Sequence, residues 1–156
     1  MKIPLNQLVC FGFCDPASGK QVIKRVRARS AIIVVGADPL NRVFVLYAWA
    51  GRPSTPQLLK RLIEVGEKFP RLKRFGIEAN AMQELFADLV ANQAREMKKR
   101  IPFIPVMQPT KIEKNFRIRT TLQPLVGMEN GRLFIQENQT ELKTEIITFP
   151  VARRWI

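Results

Sequence analysis

Apolar positions along the chain follow two periods. Leu8 to Cys14 is a near-continuous apolar run, the pattern of a central strand buried on both faces. Ser30 to Val35 ("SAIIVV") and Val43 to Trp49 ("VFVLYAW") are rich in β-branched and aromatic residues. They flank the turn-forming "GADPLN", which predicts an antiparallel hairpin. The period then becomes helical. Leu58, Leu59, Leu62 and Ile63 form one stripe, with Thr55 as N-cap, Pro56 at the first helical position and an end before Pro70. Arg74 to Glu78 ("RFGIE") predicts a short strand. Met82, Leu85, Phe86, Leu89 and Val90 recur at helical spacing after it, ahead of a basic "REMKKR" that suits the negative pole of a helix dipole.

"IPFIPVM" (101–107) is strand-like, but Pro102 and Pro105 each delete a ladder donor, which places it at a sheet edge. The polar, basic "TKIEKNFRIRT" leads into a helix through Leu125. "GRLFIQ" predicts a strand, and Thr140 to Phe149 a short helix. The order β-β-β-α-β-α-β, with a meander first and right-handed crossovers after it, predicts an α/β fold. Its core is a five-stranded mixed sheet of order 3-2-1-4-5 with helices on both faces.

Composition narrows the picture. A length of 156 residues with 46% apolar and 25% charged positions is that of one globular domain, 1–156, and not of a disordered chain. No apolar run approaches the length of a membrane span, and Met1 to Leu8 lacks the form of a signal peptide, so a cytoplasmic location is expected. The chain has no histidine, which removes the usual general base and every His-containing triad. Its two cysteines, Cys10 and Cys14, read as buried free thiols, too far apart along one strand to form a disulfide. Zinc is disfavoured by so few soft ligands. The formal net charge of +13 favours a polyanionic partner, most simply nucleic acid.

The residue that carries most information is Asp15, which ends the first apolar run in "CDPASGK". A Walker phosphate loop is excluded: the first glycine would fall on Cys14, and Gln21 follows the lysine. Asp-Pro does open turns, but a second acid occupies a matching place, since Glu78 also closes a strand before a helix. In the 3-2-1-4-5 order those two strands are parallel neighbours about 4.8 Å apart. Their carboxyl ends meet where strand order reverses, the usual position of a ligand in such sheets. Two carboxylates held that close repel unless a cation separates them. Mg²⁺ or Mn²⁺, hard and oxygen-seeking, suits them, and a pair of such ions can clamp a phosphodiester.

Over nearly its full length the chain resembles the nuclease domain of tailed-phage large terminase subunits, of the ribonuclease H-like superfamily. The resemblance rests on "CDPASGK", "FGIEANAMQELFADLV", "KNFRI" and "GRLFIQ…LKTEIITFP", with "WAGRPSTPQLL" similar to the family's strand-to-helix passage. It implies Asp15 and Glu78 as catalytic metal ligands for two ions and Asn80 as a site-shaping residue. Lys20, Lys114 and Arg117 would contact DNA phosphates; the bland reading of the last two is a solvated helix face. Double-stranded DNA is the implied substrate, and an ATPase motor domain, a portal and a small terminase subunit are the implied partners. The resemblance also implies a third acid on a final helix after "FP". No Asp follows Asp88, so the expectation is a domain lacking that helix, with Glu141 and Glu145 the nearest substitutes. Two alternatives stay open: a DNA-binding remnant without catalysis, and a Holliday-junction resolvase or transposase core of the same fold.

Overall fold

The structure, a computed structural model, describes residues 3–17, 29–79, 84–109, 111–126 and 131–149. Its frame is a mixed sheet built around β1 (Val9–Asp15). On one side β1 pairs antiparallel with β2 (Ser30–Ala37), which pairs antiparallel with β3 (Val43–Gly51). On the other side β1 pairs parallel with β4 (Leu72–Glu78), and β4 pairs parallel with β5 (Phe103–Val106). The order 3-2-1-4-5 is therefore present. A sixth strand, β6 (Leu133–Phe134), extends it by pairing parallel with Val43 and Phe44 of β3. As Pro105 within it and Pro102 just before it require, β5 lies at the edge.

The hairpin turn is set by Asp38, whose Oδ1 accepts from the N–H groups of Leu40 (3.0 Å) and Arg42 (2.9 Å). Asn41 takes the left-handed conformation there, at φ 57°, which asparagine tolerates better than most residues. Further along the hairpin Leu46 is an extra residue, because Val34 faces Tyr47 while Val35 faces Val45. Carbonyls released by this bulge are satisfied from the far end of the chain. Gln136 Nε2 donates to Leu46 O at 3.0 Å, and Gln139 Nε2 donates to Val45 O at 3.2 Å.

Helix α1 (Thr55–Lys68) and helix α2 (Glu84–Glu96) both cover one face of the sheet. The core between them holds Cys10, Cys14, Ile32, Val34, Phe75 and Ile77 from the strands, Leu58, Leu62 and Val65 from α1, and Ala87 and Val90 from α2. Phe75 is fully buried, and its ring lies so close to Gly12 that a Cβ there would sit 2.9 Å from Phe75 Cγ. Both cysteines are free and buried.

Three sequence expectations need correction. β1 is not buried on both faces: Cys10, Gly12 and Cys14 are buried, whereas Phe11 is 43% exposed. The N-cap of α1 is Ser54 and not Thr55. Ser54 Oγ accepts from the Gln57 N–H (3.3 Å) while Gln57 Oε1 accepts from the Ser54 N–H (2.8 Å), a reciprocal box that leaves Thr55 and Pro56 as the first two helical residues. On α2, Leu85 is 79% exposed and Leu89 is also exposed, while Ala87, Val90 and Ala94 face inward; small side chains let this helix lie close to the sheet. Met82 lies outside the described residues. The remaining helices, α3 (Lys114–Val126) and α4 (Thr140–Thr148), bury no residue fully.

Replacing Ser54 by Ala removes one half of the capping box. It is expected to cost about 1 kcal/mol and to lower the thermal midpoint by roughly 2–4 °C, read by circular dichroism. An unchanged midpoint would show that the cap contributes nothing.

Candidate metal and phosphodiester site

Side-chain alternation in β1 sends Cys14 into the helix-covered core and leaves Asp15 exposed on the opposite face. In β4, Ile77 is buried in that core and Glu78, the next residue, is half-buried. Cys14 pairs with Ile77 across the parallel ladder, so the following residues, Asp15 and Glu78, leave their strands side by side. Each acid is anchored just after its strand end. The Ala17 N–H donates to Ser30 Oγ at 2.9 Å, and the Ala79 N–H donates to Val106 O at 3.0 Å. Ser30 is itself buried.

The two acids share a side-chain hydrogen bond. Burial holds the Glu78 carboxyl above the ordinary glutamate range. The Asp15 charge and the shared hydrogen bond act in the same direction, and Lys114 and Arg117 pull weakly the other way. Cys14, directly behind Asp15 and Glu78, is pushed up to about 12 by burial first and by the two acids second. It stays a thiol at neutral pH.

Lys114 and Arg117 come from the first turn of α3, and both lie near enough to Glu78 to act on its charge. Lys114 is exposed and Arg117 is half-buried. The guanidinium of Arg117 donates through NH1 to Gln108 Oε1, and its Nε is buried without a hydrogen-bond partner. Gln108 had no signal in the sequence. Ser30 had a faint one, as the lone polar residue opening an apolar run.

A cavity of about 650 Å³ opens on the face that carries Asp15. Its floor includes Phe13, Ile33 and Ala48, and α4 borders it with Glu141, Leu142 and Glu145. Both candidate substitutes for a third acid thus line the cavity of Asp15, and Glu141 is ion-paired with Arg29. Neither is drawn into a ligand set: among the described residues no group of three His, Cys, Asp or Glu side chains could hold a metal. Asp15 and Glu78 by themselves present only carboxylate oxygens, which fits a hard divalent cation such as Mg²⁺ or Mn²⁺. Lys20 and Asn80 lie outside the described residues. No helix among the described residues is long and apolar enough to cross a membrane.

The sheet order, the parallel β1–β4 pair and the placement of helices define a ribonuclease H-like α/β fold. Among solved structures the chain is similar to the human cytomegalovirus terminase nuclease domain, Mn soaked and inhibitor bound. The match has 11% identity and a TM-score of 0.57, and it spans 97% of this chain and 80% of that one. A second similar structure is T. thermophilus RuvC in complex with Holliday junction substrate, at 12% identity and a TM-score of 0.46, over 72% of this chain and 70% of that one. No protein-family model matches the sequence, and no curated protein does. The likeness to a terminase nuclease domain drawn from the sequence is thus met at the level of the fold.

Proposed function

We propose that this chain is a divalent-metal-dependent endonuclease acting on double-stranded DNA, the cutting part of a viral genome-packaging terminase. A tailed-phage source, and work alongside an ATPase motor, a portal and a small subunit, belong to the same reading. The observation that carries it is the pairing of Asp15 with Glu78 at adjacent parallel strand ends, where burial and the neighbouring Asp15 charge hold the Glu78 carboxyl above the ordinary glutamate range, a strain that a cation would relieve.

In this reading Asp15 and Glu78 hold a pair of Mg²⁺ or Mn²⁺ ions through their carboxylates. Bound there, the ions supply Lewis-acid neutralisation of the phosphodiester and activation of water. Lys114 and Arg117 attract and orient the phosphate, and Lys20 contributes a further contact. Gln108 holds the Arg117 guanidinium by accepting from its NH1. Asn80 shapes the wall beside Glu78.

Supercoiled plasmid should be nicked with Mn²⁺ or Mg²⁺, not with EDTA, and activity should return on adding excess metal. Linear and supercoiled DNA should be cut at comparable rates. Strong preference for a four-way junction would move the assignment to a junction resolvase. The lack of a third carboxylate ligand among the described residues favours one other reading, a DNA-binding remnant. Tight DNA retention with no metal-stimulated nicking would establish that one instead.

A further inference from the structure

Where β3 hands over to α1, a second basic concavity lies outside the acidic pair. Arg61 of α1 is stacked 4.2 Å above the centroid of Trp49, and its NH1 donates to Tyr47 Oη at 3.2 Å. This holds the planar guanidinium in one orientation, so little rotamer entropy remains to be lost when an anion binds it. Beside it opens a concavity of about 450 Å³ lined by Arg52, Gln57, Lys60, Arg61, Glu64 and the edge of Trp49. Three cations face one acid. The Lys60–Glu64 contact, at 3.9 Å between two exposed side chains, neutralises little. The N-terminus of α1 is not the source of attraction, because Ser54 and Gln57 already cap it.

Its position relative to the acids follows from the sheet register. Both β1 and β3 run antiparallel to β2, so the end of β3 lies at the same edge of the sheet as Asp15. Asp15 faces Ala31, and Ala31 faces Ala50. Two strand spacings separate them, about 10 Å, and Arg52 follows two residues later. Trp49 pairs with Ile32 and so stands on the helix-covered face, which places the Arg61 contact at the same edge of the sheet as Asp15 but on its other face.

We propose that Arg52, Lys60 and the stacked Arg61 form a phosphate clamp for double-stranded DNA, gripping backbone at the sheet edge that also carries Asp15. The choice of DNA as the polyanion rests on the nuclease reading; the cluster of cations does not. Since Arg61 occupies the face of Trp49, no base stacks there, and the grip reads backbone without regard to sequence. The remaining N–H donors of an immobilised guanidinium suit bidentate contact with a phosphate.

The test compares two double variants of equal charge change. R52A/K60A removes two clamp cations, and K73A/R100A removes two exposed cations at the opposite end of the sheet. Binding of a fluorescent duplex is followed by anisotropy between 50 and 200 mM salt without divalent ions. The slope of log affinity against log salt should become shallower by about two for R52A/K60A, one for each lost phosphate contact, and stay within error of wild type for K73A/R100A. Equal loss in both doubles would assign the effect to net charge and overturn the clamp, as would an unchanged slope in R52A/K60A. No cleavage step enters the measurement, so an intact clamp alongside absent nicking would sink the nuclease reading alone.

Discussion

Asp15→Asn is expected to lower Mn²⁺-stimulated nicking of supercoiled plasmid by about a thousandfold, equivalent to several kcal/mol of lost transition-state stabilisation. Retention of duplex DNA at low salt should be kept. The substitution preserves the shape of the side chain and an oxygen that can accept a hydrogen bond, but it removes the charge a divalent cation requires. Asp15 is exposed at the end of β1, so little packing is disturbed, and the Ala17–Ser30 anchor that sets the path of the chain beyond it is untouched. DNA retention rests on the surplus of cations over acids along the chain, which the loss of one acid increases. Parallel mobility-shift and nicking assays on the same preparation separate the two effects. If the variant nicks as fast as wild type, Asp15 is no metal ligand and the acidic pair is not the site.

The strands and their order were legible because each is an apolar run bounded by turn residues, and chirality rules leave few ways to connect them. The acidic pair was legible for a related reason: Asp15 and Glu78 each end a strand, and parallel adjacency of those strands brings the ends together. What escaped depends on contacts that no local pattern encodes. The strand at "GRLFIQ" was expected, but not its place in the sheet, since its two paired residues, Leu133 and Phe134, join the far edge beside β3. The inward face of α2 was chosen by how closely Ala87 and Ala94 let it approach the sheet, against the larger Leu85 and Leu89. Ser54 outcompeted Thr55 as the cap because Gln57, three residues on, completes the reciprocal bond. Two further cases span long stretches of chain: Gln136 and Gln139 reach back to the bulge in β3, and α4 thereby borders the Asp15 cavity with two glutamates.

Glu78→Gln should abolish nicking to the same degree as loss of Asp15, and it should also stabilise the metal-free protein at neutral pH. The sign follows from the direction of the shift. Glu78 in the folded chain holds its proton more tightly than an ordinary glutamate, chiefly through burial and then through the Asp15 charge. A carboxyl raised in this way makes the folded state bind more protons than the unfolded one, so stability falls as pH rises from the ordinary glutamate value through the raised one. Above the raised value the whole penalty is present; below the ordinary value it is absent. Glutamine carries no charge at any pH, and its amide N–H can donate to Asp15. In EDTA, therefore, the variant should melt above wild type at pH 7.5, and the two midpoints should converge as the pH is lowered toward 4. Saturating Mn²⁺ should reverse the order at pH 7.5, because ligand binding stabilises only the chain that can bind it. Melting the two proteins at both pH values, with and without Mn²⁺, reads all four corners. A wild type that is the more stable of the two in EDTA at pH 7.5 would remove the like-charge strain from the account. If Mn²⁺ failed to raise the wild-type midpoint, the two acids would have no cation to share.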